Sequence, residues 1–539
     1  MMTPFNACDL LLRSARRPEG AARTAITGPA GELTYAELDE LVGHLAAGLQ
    51  AWGLRPEERV MLFMPDGPSM AAAVLAAMRL GAVPVPVSTM LTGPELAALL
   101  ADSRARILLV GEPFTAAAEA AVAQTPTVSW VAVDGGPGFP VPPGVRLRPF
   151  AELVEDGRRR GGELVDPYLT CEDSCALWLY TSGTTGTPKA AMHRHAAIRH
   201  VVEGYARHVL RITAEDRCYS IAKLFFAYGI GNSLFFPLAA GATTILDPAR
   251  PTPQGVAERL VEHRPTLFFA VPTFYAALLD AGVPREAFAS VRLAVSAGEP
   301  LPPELYRRFT ERYGVELLDG IGSTEALHIF LSNRPGEVRP GTSGRPVPGY
   351  EVKVVDETGA EVPPGQPGDL LVRGPSLTTG YWCRTEVTRR AFQGEWMRTG
   401  DTYVRSEDGY YACLGRSDDM IKAGGIWVSP TEVEQCLVEH PSVAEVAVVA
   451  VPDGHGLDKP VACVVPASGA AVDAEELIAH CRARLAAFKR PRQVLVVEEL
   501  PKTATGKLRR FAIRELAREL LQERPEEPER EPEERVTPV

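Results

Sequence analysis

Apolar positions along the first 160 residues fall into two alternating patterns. Alanine- and leucine-rich stretches at 35–53, 69–80 and 94–102 repeat at helical spacing, and short apolar runs stand at 59–63, 82–87 and 107–110. That alternation predicts helices layered on parallel strands. It resumes with strand-like runs at 243–246, 267–271 and 293–297. Past residue 341 the texture changes. Segments 350–356, 368–373 and 410–413 read as strands parted by Gly and Pro turns, which predicts a small β-rich, barrel-like subdomain. Beyond 419, helices are predicted at 430–439 and 474–487, with strands at 443–451, 462–465 and 494–497. The fold class is α/β: a large multi-subdomain N-terminal α/β domain followed by a smaller α+β lid.

One stretch, 224–246, is apolar and uncharged over a length that would span a bilayer. It carries Asn232, Pro237, Gly229, Gly231 and Gly241 and has no flanking basic cluster, so a buried strand, turn and helix is expected instead of a membrane span. The end of the chain, 522–539, is charged, proline-broken and nearly without apolar residues, which predicts a disordered tail.

Composition narrows the partners. The chain has 539 residues, 45% hydrophobic and 23% charged, as in a globular protein with more than one core. With 56 basic and 68 acidic residues the net charge is −12, which argues against a broad nucleic-acid surface. Anionic ligands must be held by local cations, and these are lopsided: eight lysines against 48 arginines. Nine scattered cysteines fit a reduced, cytoplasmic setting, and Cys171 with Cys175 lacks a second pair at zinc spacing. The first twenty residues show no apolar signal segment.

The chemistry begins at 180–189, YTSGTTGTPK, which leaves the apolar run 175–179. Gly183 and Gly186 permit close backbone approach to a ligand. Thr181, Ser182, Thr184 and Thr185 supply hydroxyls around phosphate oxygens, and Lys189 supplies a compact charge. The spacing is not that of a Walker A loop, and Ala190 follows the lysine where Ser or Thr would stand.

TSGTTGTPK resembles the phosphate loop of the adenylate-forming superfamily of acyl-CoA synthetases, adenylation domains and luciferases. SAGEPLP (296–302), GIGSTE (320–325), TGD (399–401), GRSDD (415–419) and PKTATGK (501–507) match further motifs in the same order, covering about residues 25 to 520. Ala190 departs from the usual glycine. The resemblance implies that a carboxylate attacks the α-phosphorus of ATP to give acyl-AMP and diphosphate, and that a thiol, often that of CoA, then displaces AMP.

It also implies roles. Residues 181–186 and Lys189 would hold phosphates; Gly298, Glu299 and Pro300 would form the adenine-side loop; Asp319, Gly320, Ile321, Gly322, Ser323 and Thr324 would lie against the nucleotide. Glu325 would hold Mg²⁺, Asp401 and Arg416 the ribose, and Lys507 the acid's carboxylate and the α-phosphate. Read without the resemblance, Glu325 is equally a helix-start carboxylate and Lys507 a surface cation. Domain boundaries follow: 1–415, a hinge at 416–418 centred on Asp418, a mobile lid at 419–521 and the tail.

In the lid, Gly424, Gly425 and Trp427 match a loop suited to a pantetheine tunnel, and Phe488, Lys489, Arg490 and Arg492 resemble the CoA-nucleotide site of aryl-CoA ligases. The last group also reads as a basic helix C-terminus. Segments 223–232 and 319–333 resemble benzoate–CoA ligases. Phe226, Ala227, Tyr228, Ala297, Gly320, His328 and Ile329 would then line an acyl pocket for an unsubstituted or lightly substituted benzoate, although each alone also reads as core packing. The implied cosubstrates are an aromatic acid, ATP with Mg²⁺, and CoA; a homodimer is compatible with this. A carrier-protein thiol is the alternative acceptor, and a nucleotide-binding regulator without turnover the more distant reading.

Overall fold

The computed structural model describes residues 4–160, 165–181, 188–423, 426–452, 458–485, 489–502 and 508–522. The chain divides into two units, residues 1–399 with 403–413, and residues 400–402 with 414–539.

Two largely parallel sheets form the first unit. One runs Val83–Pro86, Arg59–Phe63, Ile107–Gly111, Trp130–Asp134, Arg146–Pro149, all parallel. Val83–Pro86 holds two prolines and sits at the edge, where a missing N–H costs no ladder bond. The other has nine strands, and six of them, from Leu317–Gly322 through Leu293–Ala297, Leu267–Ala270, Arg217–Ser220 and Thr243–Ile245 to Thr24–Gly28, are parallel. A smaller, curled antiparallel sheet holds Glu351–Val355 and Pro367–Arg373, as the Gly/Pro-punctuated texture predicts.

Local chemistry sets the helices. Tyr35–Ala51 starts at a capping box in which Thr34 and Glu37 satisfy each other's backbone N–H groups, and it stops before Gly53, whose φ is +88°. Beside it, Pro68–Arg79 is buried from Met70 onward, and its alanines let surrounding elements approach on every side. Arg79 closes this helix inside the core, where its guanidinium meets the Asp39 carboxylate of the neighbouring helix.

The 224–246 stretch differs from expectation. No strand precedes the helix: Ala227–Ile230 runs into a π-turn, Gly231–Phe235, then Phe236–Ala240, and the strand Thr243–Ile245 comes last. Extra residues in a helical turn blur the 3.6-residue period, so periodicity misplaces such a segment. Among the described residues, no helix is long and apolar enough to cross a membrane.

In the second unit, Val443–Pro452, Asp458–Pro466 and Gln493–Val496 form a three-stranded sheet. Val446, Val448 and Ala450 face one core with the helices Pro430–Val438 and Ala474–Arg484. Ala447, Val449 and Val451 face another with Ile513 and Ala517 of Arg510–Gln522. Burial on both faces is why 443–451 reads as an unbroken apolar run. Arg510 is fixed by Glu434 through bonds of 2.7 and 2.9 Å and donates to the Val448 carbonyl at 2.8 Å.

Removing one partner of a buried pair leaves the other charge uncompensated, at a cost of about 3–5 kcal/mol. Asp39→Ala is therefore expected to lower the melting temperature of the first unit strongly. Asp39→Leu combined with Arg79→Met should recover most of that loss, as thermal or urea unfolding of both variants will read.

Candidate active site

The strands that flank the phosphate-loop motif, Cys175–Thr181 and Lys189–Arg194, pair antiparallel, with Thr181 facing Lys189. Ser182, Gly183, Thr184, Thr185 and Gly186 lie outside the described residues. Asp102, at the end of the helix Gly93–Ser103, anchors this hairpin. It accepts from the Tyr180 hydroxyl at 2.8 Å and from Arg384 at 2.9 Å, while its carbonyl takes the Trp382 indole N–H at 3.0 Å. Burial first, then the Asp102 carboxylate, push the Tyr180 phenol well above its ordinary pKa, so it remains a donor.

Residues 378–382 run beside the second hairpin strand. Met192 and Gly380 pair through the backbone, Trp382 N–H donates to the Ala190 carbonyl at 3.0 Å, and Thr379 N–H donates to the Met192 carbonyl. The same segment reaches the GIGSTE turn: Thr378 N–H donates to the Glu325 carbonyl at 2.7 Å, and the Tyr381 hydroxyl donates to Glu325 Oε1 at 2.7 Å. The Lys189 ammonium lies 4.4 Å from the centre of the Tyr381 ring, a cation–π contact. Tyr381 thus touches two motifs that are 136 residues apart in sequence. Burial and then the Glu325 charge raise its phenol above the usual range.

The GIGSTE turn joins Leu317–Gly322 to Ile329–Ser332. Ser323 Oγ accepts from Ala326 N–H at 3.1 Å, and the Thr324 carbonyl accepts from Leu327, which takes a positive φ of 66°. Gly322 has no room for a side chain: a Cβ would stand 2.5 Å from the His328 carbonyl oxygen. Ile321 pairs with Leu331, Gly320 with Ala297 across the parallel ladder, and Asp319 with Ser296. Asp319 is buried, and burial pushes its carboxyl well above the ordinary range. Gly298, with φ +96°, turns the chain out of the strand Leu293–Ala297 into Glu299 and Pro300.

Among the described residues no cluster of three His, Cys, Asp or Glu side chains gathers to cage a metal. Glu325 alone, with Oε1 held by Tyr381, fits Mg²⁺, which takes one or two protein carboxylates and completes its shell with phosphate and water.

Of the expected acyl-pocket residues, the structure gathers five. Tyr228 donates to the Val295 carbonyl at 3.0 Å, one turn of the ladder from Ala297, and its ring centre is 5.6 Å from that of His328. A Cβ on Gly320 would meet Ile329 at 3.0 Å, so these two positions are neighbours. Ala227 is buried on the same short helix as Tyr228. Phe226 precedes that helix, with its ring against Phe225 at 4.6 Å.

His328 is buried among Tyr205, Tyr228 and Phe236, and burial pushes its pKa down to about 3. Its Nε2 lies 3.1 Å from Asn232 Oδ1, a bond that neutral imidazole makes with its Nε2–H. Gly231 permits this seat, because any side chain there would strike the imidazole. The sequence reading assigned no site role to Asn232 or to Tyr381. The signals were an uncharged amide inside an apolar run and an aromatic next to Gly380.

In the second unit, Arg416 pairs with Asp401 at 2.9 Å, and its guanidinium crowds Gly400, where a Cβ would stand 2.7 Å from Nη2. Asp418 lies in the 3₁₀ turn Ser417–Asp419, and its side chain, like that of Trp427, is outside the description, as are Gly424, Gly425, Phe488 and Lys507. Lys502 pairs with Glu445 at 2.7 Å and bridges to Leu508. Lys489 pairs with Glu432 at 2.6 Å. Arg490 donates to the Leu485 and Arg482 carbonyls, as a basic residue does at a helix C-terminus, and Arg492 is exposed.

Two family models match the chain: that of the AMP-binding enzymes over residues 12–382 and that of their C-terminal domain over 432–507. The chain belongs to the AMP-binding enzyme family. It is 43% identical to a benzoate–CoA ligase of Thauera aromatica over 95% of this chain and 96% of that one. It is 40% identical to a 4-hydroxybenzoate–CoA/benzoate–CoA ligase of Rhodopseudomonas palustris, over 95% and 94%. Among solved structures, a benzoate CoA ligase from Burkholderia xenovorans LB400 superposes with a TM-score of 0.85 at 43% identity, covering 95% of this chain and 100% of that one.

Burial lowers five histidines of the first unit, most strongly His193 and His195, to about 4, and His328, to about 3. Below their unfolded pKa of about 6.5 the unfolded chain binds protons that the native state refuses, so stability is full above that value and falls as pH drops toward 4. Each of the three most strongly lowered contributes a loss of about 2 kcal/mol at pH 5. Melting temperatures from pH 7.5 to 5 are expected to fall less steeply for His193→Gln than for the wild type.

Proposed function

We propose that this enzyme activates an aromatic carboxylic acid with ATP to give an aryl-adenylate and diphosphate, then passes the aryl group to the thiol of CoA with release of AMP. It is an AMP-forming acid–thiol ligase of the benzoate–CoA ligase type. What supports the substrate reading is the set of neighbours: the small Ala297 and Gly320 pair across the ladder, Gly320 adjoins Ile329, the Tyr228 ring lies beside His328, and the neutral His328 brings no charge. That supports benzoate or a lightly substituted benzoate over an acid bearing a second charge.

Adenylation brings two anions together, so its barrier is dominated by positioning and counter-charge. We assign the phosphates to residues 181–186, Thr324 and Lys189, the adenine side to residues 298–300 and 319–323, and the ribose to Asp401 and Arg416. When bound, Mg²⁺ neutralises charge on the phosphate oxygens, and Glu325 is the carboxylate assigned to it. Lys507 is assigned to the acid's carboxylate and the α-phosphate, where a compact ammonium fits better than the planar guanidinium the chain otherwise prefers. Asp418 is the proposed hinge. Gly424, Gly425, Trp427, Phe488, Lys489, Arg490 and Arg492 are proposed for CoA; for that role Lys489 must exchange Glu432 for a phosphate.

Mass spectrometry of products formed from competing benzoate, hydroxybenzoates, aminobenzoates and short-chain acids should show benzoyl-CoA or a simple derivative in excess. Dominance of a linear acyl-CoA would overturn the aryl reading, and AMP release indifferent to CoA would point to a carrier protein. Lys507→Ala is expected to lower acid-dependent ATP–diphosphate exchange by about a hundredfold or more. Ala297→Val should narrow the slot, reducing kcat/KM for ring-substituted acids by about 10–200-fold relative to benzoate.

A further inference from the structure

We propose that Tyr381 is a positioning residue that sets the carboxylate of Glu325 and the ammonium of Lys189 together, its hydroxyl acting on the first and its ring face on the second. The inference rests on the adenylating reading of this site. Three observations carry it. The hydroxyl donates to Glu325 Oε1 at 2.7 Å, and no other hydrogen bond to the Glu325 side chain comes from a described residue. The opposite function of the same side chain, its π face, lies 4.4 Å from Lys189 Nζ. Both contacts spring from a backbone position that is fixed twice: Tyr381 bridges to Ala191, and its N–H donates to Thr388 Oγ1 at 3.0 Å.

A carboxylate that meets Mg²⁺ through one oxygen needs its plane defined, and one donor on the other oxygen defines it. A lysine beside phosphates has four rotatable bonds and loses entropy on binding; a ring beneath its ammonium reduces the number of positions it samples before ATP arrives. One aromatic residue therefore orders a positive and a negative group at once.

The two contacts separate by substitution. Tyr381→Phe removes the hydroxyl and keeps the ring; Tyr381→Leu removes both. Binding of ATP with Mg²⁺, measured calorimetrically without any acid, is expected to weaken about three- to tenfold in Tyr381→Phe and by a further factor of about three in Tyr381→Leu. Affinity for ATP in EDTA should not change in Tyr381→Phe and should fall in Tyr381→Leu, since only the second loses the seat of Lys189. In a Glu325→Gln background the Mg²⁺-linked effect of Tyr381→Phe should vanish, the non-additivity expected of residues acting through one another. Equal Mg²⁺-dependence in wild type and Tyr381→Phe, or additive effects in the double variant, would overturn the hydroxyl's role. Equal affinities of the Phe and Leu variants in EDTA would overturn the ring's.

Should Tyr381→Phe melt below the assay temperature, Tyr381→His, which keeps a ring and an N–H donor, must retain more Mg²⁺-linked affinity than Tyr381→Leu for the proposal to stand. Because these readouts need no acid, wild-type protein that binds ATP but turns over no aromatic acid would refute the proposed substrate and leave this test intact.

Discussion

Three stretches far apart in sequence meet through backbone hydrogen bonds made by residues 378–382. This segment lies along the strand that starts at Lys189 and reaches the carbonyl of Glu325 through Thr378. A phosphate loop and a turn rich in small residues have little apolar surface of their own, so packing alone holds neither in register. Main-chain bonds do it instead, and they tolerate little error, because a strand slip of one residue would turn Tyr381 to the other face. Asp102 performs the matching task on the far side of the hairpin, where it accepts from Tyr180, Trp382 and Arg384 at once.

Much of this arrangement was legible beforehand. Alternating helices and apolar runs placed both parallel sheets, and the Gly/Pro-broken texture placed the smaller sheet, because each pattern reports a distinct burial geometry. The strand leading into the phosphate-loop motif was visible as an apolar run before Gly and Thr, whereas its antiparallel partner Lys189–Arg194 was not. Other parts were not legible. Tyr381 works through a ring and a hydroxyl aimed at residues 192 and 56 positions away, and nothing local in GYW announces that. Asp39 and Arg79 look like ordinary surface charges on amphipathic helices, yet they meet in the core. Arg490 donates to two carbonyls at a helix end, the contacts of the basic helix terminus that the sequence also offered for it.

Charge is handled locally throughout. The protein carries −12 overall, seven glutamates and three arginines of that balance falling in 522–539. Within each unit, cations have specific partners: in the first, Lys189 has an aromatic face; in the second, Arg416 has Asp401, Lys489 has Glu432 and Lys502 has Glu445. The three ion pairs are partly exposed, so each contributes only about 0–1 kcal/mol and orders its cation without locking it.

The π-turn at Gly231–Phe235 has an evolutionary corollary. Tyr228 lies before it and Phe236 after it, and both flank the His328 ring. Each residue of an α-helix advances the angle by about 100°, so a one-codon deletion within the turn would rotate these two aromatics against each other by about that much. The wall beside the imidazole would be rebuilt without a single side chain having been substituted. If the proposed acyl slot holds the acid, a change in the acid accepted can arise from a small indel in this helix as well as from substitutions.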